Sequence, residues 1–194
     1  MGTGRLEAFS DGVLAVIITI MVLEMKAPHD GDPKALLALL PVLLSYVLSF
    51  VYVGIYWNNH HHLFHVIKHV DGRVLWANLH LLFWLSLIPF ATSWMGENHF
   101  STWPTVMYGV ILLMSGVAYE LMTRSLRHAN PDAALAGHAA AKSSKGVVSI
   151  LIYLAAIPLA FYNVLLADAM FVLVAIMWFI PDRRIEQALG IQPR

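Results

Sequence analysis

The sequence predicts an all-α integral membrane protein, a bundle of six transmembrane helices built as a single repeat. The composition is the first reason: 59% of the residues are hydrophobic and 12% are charged, whereas soluble domains carry about 25% charged residues. The second reason is the presence of six apolar stretches, each near the ~20 residues that a helix needs to cross a bilayer. The third is an uneven distribution of basic residues. We therefore expect one six-span domain over residues 1–194.

The six predicted spans are separated by breaks that contain turn-forming residues. The spans cover residues 6–25, 35–57, 74–95, 104–123, 147–166 and 167–181. The breaks are at 28–33, 71–72, 96–102 and 130–145, and the last belongs to a polar cytosolic loop predicted over 128–145. Between spans five and six, Tyr162, Asn163 and Asp168 alone interrupt the apolar run. A single re-entrant helix there, giving five spans, is an alternative.

Basic residues orient the bundle in the membrane. With the N-terminus inside the cell, ten lysines and arginines fall on the cytosolic side and two on the outer side. This excess is the positive-inside pattern, and it favours an even number of spans with both termini cytosolic. The cytosolic set is Arg5, Lys68, Arg73, Arg124, Arg127, Lys142, Lys145, Arg183, Arg184 and Arg194, and the outer set is Lys26 and Lys34.

The first helix, predicted over residues 5–26, begins with charged residues that a simple anchor does not need. Arg5, Glu7 and Asp11 precede a run from Val13 to Leu23 that is apolar except for one threonine. A charge inside lipid costs roughly 3 kcal/mol, so such side chains normally face protein or water. We therefore expect this helix to have a function beyond anchoring.

One face of this helix combines apolar residues with a single hydroxyl. At 100° per residue, Val16, Thr19, Ile20 and Leu23 share a face about 100° wide, and Asp11 lies on the opposite side. One interpretation is a pore wall with one hydroxyl layer among apolar layers. The alternative is a helix-packing stripe whose threonine bonds back to the preceding turn. Periodicity does not discriminate between them, because every neighbouring position is apolar.

Polar residues at the start of the helix suggest a network. An aspartate near a helix start is stabilised by free backbone N–H groups and by a nearby arginine. We expect Arg5, Ser10 and Asp11 to fix the helix against spans two and three, although an N-cap with a weak surface ion pair is the alternative. Because buried polar side chains in lipid seek one another, the candidate partners are Trp57, Trp76, Asn78 and His80.

The same segment carries a family resemblance. Arg5-x3-Phe9-Ser10-Asp11-Gly12-Val13, with Thr19 and Leu23 downstream, resembles the RxxxFSDG signature of the transmembrane protein 175 potassium channels. Two further segments are similar to that family: the aromatic and histidine-rich stretch 56–64, and 75–79 followed by 88–92. The second half of the chain matches in hydropathy alone.

The resemblance implies a potassium-permeable cation channel in a prokaryotic plasma membrane, with monovalent cations as cargo and no cofactor. It implies that Val16, Thr19, Ile20 and Leu23 line the conduction path as hydrophobic constrictions and a threonine layer. Independently of the resemblance, we expect a structural network at the pore helix, formed by Arg5, Phe9, Ser10, Asp11, Trp76, Asn78 and His80. Single-repeat members are homotetramers, and two-repeat eukaryotic members dimerise. A pore on an axis requires several copies, because one chain contributes one such helix.

Two features qualify the expected channel. The sequence contains no TVGYG-type filter, so the fold is not that of the tetrameric potassium channels with a carbonyl cage, and limited selectivity is expected. The family usually has isoleucine or leucine where Val16 stands. Because valine is shorter than isoleucine or leucine, the narrowest point of the pore is expected at Ile20 or at Leu23 instead of Val16.

Histidines provide the main alternative function. His61, His65 and His69 share one helical face, with His60 and His62 beside them, and such spacing can bind a transition metal or haem. The run lies beyond the predicted end of span two, and no HExxH or carboxylate-rich motif accompanies it. A pH-dependent influence on gating is a further possibility.

Other functional classes are disfavoured. A proton-coupled transporter would need an acidic residue in mid-membrane, and spans two, three and five contain none. We find no Gly-rich phosphate loop, Ser/His/Asp set or paired carboxylates, so an enzyme is not expected. No cysteine is present, which excludes disulfides and thiolate metal sites. Twelve basic and twelve acidic residues balance, which argues against nucleic acid as a partner.

Overall fold

The regular structure is entirely α-helical in the part of the chain described by the computed structural model, residues 3–28, 31–65, 67, 69–131 and 144–179. In chain order the helices are α1 (Thr3–Glu24), α2 (Pro33–Ala38), α3 (Leu40–His65), α4 (Gly72–Ser86), α5 (Ile88–Glu97), α6 (Thr102–Ala129), α7 (Ser144–Ala160) and α8 (Val164–Phe179).

Four helical stretches among the described residues are long and apolar enough to cross a membrane. They are Thr3–Glu24, Leu40–Phe64, Gly72–Glu97 and Thr102–Ala129, whereas α7 and α8 are shorter apolar helices. The protein is therefore a helical membrane protein. The four long stretches lie at predicted spans one to four, and α7 and α8 lie at the positions of spans five and six.

Three predicted helix boundaries are wrong: the start of span two, the end of span two, and the boundary between spans five and six. Span two begins with the separate turn α2 and continues past residue 57 to His65, because the aromatic and histidine residues there pack against α1 and α4 instead of entering a loop. The predicted boundary at 166/167 is wrong. The chain turns at 161–163, where the Asn163 Oδ1 accepts a hydrogen bond from the Leu166 N–H and begins α8. Residues 132–143 of the predicted loop lie outside the described residues.

The third span is broken near its middle. Leu87 separates α4 from α5, and Pro89 occupies the first turn of α5. Proline lacks an N–H group and its ring crowds the carbonyl of the preceding turn, so it disrupts the helical hydrogen bonding at this point. Asp71 begins α4 by accepting a hydrogen bond from the Val74 N–H at 2.9 Å. Beyond the break, α5 packs against α1, α3 and α6.

Helix α6 lies at the centre, packed against α4, α5, α7 and α8, and α1 packs against α3, α4 and α5. A buried hydroxyl cluster joins three of the central helices. The Ser49 Oγ on α3 lies 2.6 Å from the Thr92 Oγ1 on α5 and 3.0 Å from the Tyr108 hydroxyl on α6. The Tyr52 hydroxyl donates to the Phe171 carbonyl at 2.6 Å and so joins α3 to α8. Polar contacts of this kind add specificity to helix packing in lipid.

Close packing of α3 and α5 predicts an effect of substituting Gly96. A methyl group there would lie 2.6 Å from the Ser45 Oγ and 2.7 Å from the Val42 Cα. Gly96→Ala should therefore separate the helices and lower the stability by about 1–3 kcal/mol, as overpacking does. The measurement is the midpoint of thermal unfolding of the purified protein in detergent.

Gly54→Ala on α3 is the matched control. Nothing lies within 4 Å of a methyl group at Gly54, so the higher helix propensity of alanine should leave the midpoint unchanged or raise it. Equal destabilisation by the two variants would contradict the packing described for Gly96.

Candidate functional site

Helix α1 has two clearly different faces. Leu6, Ser10, Leu14, Ile17 and Met21 are buried at intervals of three and four residues, and they form the contact with α3, α4 and α5. On the other side Val16 is 54% exposed, Ile20 41% and Leu23 77%. The predicted pore face is therefore largely uncovered by the rest of the chain, and Val16 and Ile20 also border a groove whose other wall is α5.

Thr19 lies on the same exposed face, and its hydroxyl group is partly engaged. The Thr19 Oγ1 donates to the Val16 carbonyl at 2.9 Å, which is the back-bond to the preceding turn that the packing interpretation includes. This bond uses the hydroxyl hydrogen and leaves the oxygen lone pairs available. The group can therefore act outwards as a hydrogen-bond or cation acceptor.

A buried polar chain joins α1 to α4 and α3. The Asn78 Nδ2 on α4 donates to the Ser10 Oγ on α1 at 3.0 Å, and the Ser10 Oγ donates to the Leu6 carbonyl at 2.9 Å. The Asn78 Oδ1 lies 2.9 Å from the His60 Nε2 on α3. Because an amide oxygen can only accept, the bond assigns the ring proton to Nε2. The His60 ring also stacks on Phe64, with 4.2 Å between ring centroids.

Two further contacts join the charged residues of α1 to α3. The Trp57 Nε1 donates to the Asp11 Oδ1 at 3.1 Å, and the His61 Nδ1 lies 2.9 Å from the Glu7 Oε1. Glu7 and Asp11 are one helical turn apart, as are Trp57 and His61. The pairs run in opposite order along the two chains, so α1 and α3 are antiparallel here. Together with the Ser10–Asn78–His60 chain, these two pairs are called the polar ties of α1.

The predicted network residues fall into two groups. Ser10, Asp11 and Asn78, with the candidate partner Trp57, lie within the polar ties. Arg5, Phe9 and Trp76 are exposed, and His80 accepts a hydrogen bond from the Trp84 Nε1 on its own helix at 3.0 Å. The expectation that Asp11 lies near the helix start is wrong, because α1 already begins at Thr3. Its stabilising contact is the Trp57 indole and not the helix N-terminus.

Sequence reasoning missed His60, Glu7 and His61 as members of the ties. His60 is buried, yet its ring nitrogen Nδ1 has no hydrogen-bond partner among the described residues. A signal for the other two was present, since Glu7 and Asp11 share the i, i+4 spacing of His61 and Trp57. The sequence alone does not reveal which of several neighbouring histidines faces α1.

The histidine run does not form a shared ligand set in the described part of the chain. His60 turns inward to Asn78, His61 turns to Glu7, and His62 is exposed. No group of three or more histidine, aspartate or glutamate side chains there could hold a metal ion. Because consecutive residues on a helix point in directions 100° apart, these neighbours face different surroundings.

Comparison with known proteins gives consistent matches. The family model described as "Endosomal/lysosomal potassium channel TMEM175" matches residues 5–89. A potassium channel of Chryseobacterium sp. (strain P1-3) is 49% identical over 189 residues, which are 97% of this chain and 98% of that protein. A human protein described as "Endosomal/lysosomal proton channel TMEM175" is 39% identical over 92 residues, 41% of this chain and 18% of its own length.

A solved structure also matches the fold. It is described as the crystal structure of a lysosomal potassium-selective channel TMEM175 homolog from Chamaesiphon minutus. The TM-score is 0.78 and the identity is 31%, with 91% of this chain and 95% of that chain covered. The similarity thus extends well beyond the first half of the chain, which is more than the sequence motifs indicated.

The buried chain of hydrogen bonds at Asn78 predicts a stability effect. Asn78→Leu keeps the number and branching of the side-chain heavy atoms but removes the partners of Ser10 and of the His60 Nε2 on two other helices. Leaving buried polar groups unpaired costs about 1–3 kcal/mol. We expect a corresponding drop in the thermal unfolding midpoint in detergent. Asn58→Leu, at an exposed position of α3, is the control and should leave the midpoint near that of the native protein. Equal midpoints for the two variants would contradict a stabilising role of Asn78.

Proposed function

Because the chain belongs to the TMEM175 family of channels, we propose that it is a potassium-permeable cation channel whose pore is lined by α1 of each subunit. The observation that carries the proposal is the division of α1 into a face packed against its own chain and an exposed face. The exposed face contains Val16, Thr19, Ile20 and Leu23. The relatives named as potassium channels support potassium as the permeant ion.

The proposed assembly is a homotetramer with cyclic symmetry around an axis beside α1. One chain supplies one such helix, so several copies must surround a common axis to enclose a pore. The subunits lie in the plasma membrane with both termini in the cytosol. The excess of basic residues in the cytosolic segments supports this orientation. The proposal requires no resident cofactor, since potassium is the transported cargo.

In this arrangement the apolar rings act as the constriction. Apolar side chains in a narrow neck exclude water when the neck is closed, and ions then meet a high barrier. Thr19 adds one polar layer within this neck, because its hydroxyl hydrogen is bound to the Val16 carbonyl and its oxygen lone pairs stay available to ions. A single hydroxyl layer offers far fewer ligands than a carbonyl cage, so selectivity among monovalent cations is modest.

The polar ties determine which face of α1 meets the axis. They lie between Glu7 and Asp11, in the first half of the helix. The constriction residues lie in the second half, which the apolar contacts of Leu14, Ile17 and Met21 hold in place.

The constriction can be tested by ion flux from the purified protein in liposomes. Leu23→Ala removes a large apolar group from the neck, so potassium flux should rise severalfold and discrimination among potassium, sodium and caesium should fall. Thr19→Val keeps the shape and removes the oxygen, so the preference for potassium should fall. The measurement compares flux under potassium, sodium and caesium gradients.

Leu165→Ala on α8 is the matched control for the flux experiment. Leu165 is 77% exposed, as Leu23 is, but it lies on a helix that does not contact the proposed axis. The potassium flux of the Leu165→Ala variant should equal that of the native protein. If Leu23→Ala and Leu165→Ala behave alike, the exposed face of α1 is a lipid surface and the pore assignment is wrong.

The assembly can be tested by cross-linking, because the chain contains no native cysteine. Leu23→Cys should form disulfide-linked dimers within the assembly under mild oxidation, since side chains around a narrow neck bring their Cα atoms within about 7 Å. Non-reducing electrophoresis measures the dimer, and native mass spectrometry measures four subunits. Leu165→Cys is the control and should remain monomeric on the gel; equal cross-linking of both positions would overturn the proposed axis.

A further inference from the structure

A carboxyl group on α8 is buried at one of its oxygens and lies apart from the proposed conduction path. Asp168 is in the second turn of α8, close to the turn at 161–163. Its Oδ1 is buried and has no hydrogen-bond partner among the described residues, although the residue as a whole is partly exposed. Helix α8 packs against α3, α6 and α7, whereas α1 packs against α3, α4 and α5. The carboxyl group therefore belongs to the side of the subunit that α8 forms with α3, α6 and α7.

The titratable groups that these three helices turn towards α8 are tyrosines. The buried Tyr108 hydroxyl on α6 is close enough to Asp168 for an electrostatic interaction. The Tyr108 ring contacts Phe171, one helical turn after Asp168, with 5.7 Å between centroids. The Tyr52 hydroxyl on α3 donates to the Phe171 carbonyl at 2.6 Å, and the Tyr153 hydroxyl on α7 donates to the Tyr52 oxygen at 3.2 Å. No lysine, arginine or histidine among the described residues forms an ion pair with Asp168.

The hydrogen of the Tyr108 hydroxyl is already used in another direction. The Thr92 Oγ1 lies 2.7 Å from the Ile88 carbonyl oxygen, which can only accept, so the Thr92 hydrogen points there. Ser49 must then donate to Thr92 across 2.6 Å, and Tyr108 must donate to Ser49 across 3.0 Å. Because a hydroxyl group has one hydrogen, Tyr108 has only oxygen lone pairs left to offer. It can therefore accept a hydrogen bond from Asp168 but cannot donate one.

We propose that Asp168 is a proton-binding site, whose protonated carboxyl group donates to the Tyr108 hydroxyl oxygen. An ionised carboxylate needs donors or a cation, and neither faces Asp168, whereas the neutral acid carries the O–H group that these lone pairs can accept. The partly exposed position of the residue lets the proton exchange with the solution. Binding of the proton adds a hydrogen bond between α8 and α6, so the packing of these two helices depends on pH.

The ligand is a proton and not a metal ion. A hard cation such as Ca²⁺ or Mg²⁺ takes about six or more oxygen ligands. In the part of the chain that the structure describes, no group of three or more histidine, aspartate or glutamate side chains could hold a metal ion. A single carboxyl group beside a tyrosine hydroxyl suits a proton, which needs one oxygen to bind and one to receive its hydrogen bond.

Reaction with dicyclohexylcarbodiimide tests the site in liposomes that contain the purified protein. This apolar reagent reacts with a protonated carboxyl group. A carboxyl oxygen bonds to the central carbon of the carbodiimide, the carboxyl proton moves to one of its nitrogens, and the adduct rearranges to a stable N-acylurea. The chain gains the mass of one carbodiimide, and mass spectrometry of its peptides locates the adduct. We expect an adduct at Asp168 whose yield falls as the pH is raised from ~5 to ~9, since alkaline solution removes the proton.

A first pair of variants tests the carboxyl group itself. Asp168→Asn has no carboxyl group and should form no adduct at this position. Glu120→Gln, at a glutamate paired with Arg124 on α6, is the matched control and should leave the yield at Asp168 unchanged. The thermal unfolding midpoint in detergent checks that both variants are folded.

A second pair tests the acceptor. Tyr108→Phe keeps the ring that packs on Phe171 and removes the hydroxyl oxygen, so the yield at Asp168 should fall severalfold at a given pH. Tyr153→Phe removes another buried hydroxyl, which donates to Tyr52 and not towards Asp168, and it should leave the yield unchanged.

Three results would overturn the proposal. One is the absence of an adduct at Asp168, or a yield that does not change with pH. Another is protection of Asp168 by potassium or sodium at fixed pH, which would mean that the carboxylate holds a metal cation. The third is an equal effect of Tyr108→Phe and Tyr153→Phe, which would remove the Tyr108 hydroxyl from the site. Because the readout is covalent labelling, it does not depend on ion flux, and the proton site and the proposed channel can fail separately.

Discussion

Ser10 is a buried hydroxyl on a helix that is otherwise suited to lipid, and the hydrogen bond that it receives from Asn78 places α1 against the rest of the chain. Polar side chains inside a membrane need partners, because an unpaired group in hydrocarbon is costly. Asn78 forms hydrogen bonds with two helices at once, since its amide nitrogen donates to Ser10 on α1 and its oxygen accepts from His60 on α3. The contact therefore specifies the rotation of α1 and its position between α3 and α4.

This rotation has consequences along the whole helix. Once Ser10 faces inward, Leu14, Ile17 and Met21 follow on the same side by helical periodicity. Val16, Thr19, Ile20 and Leu23 must then face outward. A rotation by one residue, about 100°, would bring charged residues into lipid and withdraw this face. The polar ties in the first half of α1 therefore determine which residues of its second half are exposed.

The break at Leu87 lies beside the second half of α1. Leu87 separates α4 from α5, and Pro89 lies in the first turn of α5. Helix α5 contacts α1, α3 and α6, and α4 contacts α1 and α6. The groove between α1 and α5 begins near this break and ends at Glu24 and Glu97. Pro89 itself lines this groove, beside Phe90 and Trp94 of α5.

The sequence by itself determined the class of protein and the approximate positions of the long helices, whereas the tertiary structure decided which face of α1 is buried. The class and the helix positions depend on local composition and on the 3.6-residue period, which act within one segment. The sequence did not determine where α3 ends or where α7 gives way to α8, because packing and side-chain caps decide helix ends. The tertiary structure alone decided that His60 and not His80 meets Asn78, and that Trp57 and not an arginine binds Asp11. Those partners are 18 and 46 residues apart along the chain, and contacts at such separations depend on how the helices pack and not on the period of any one of them.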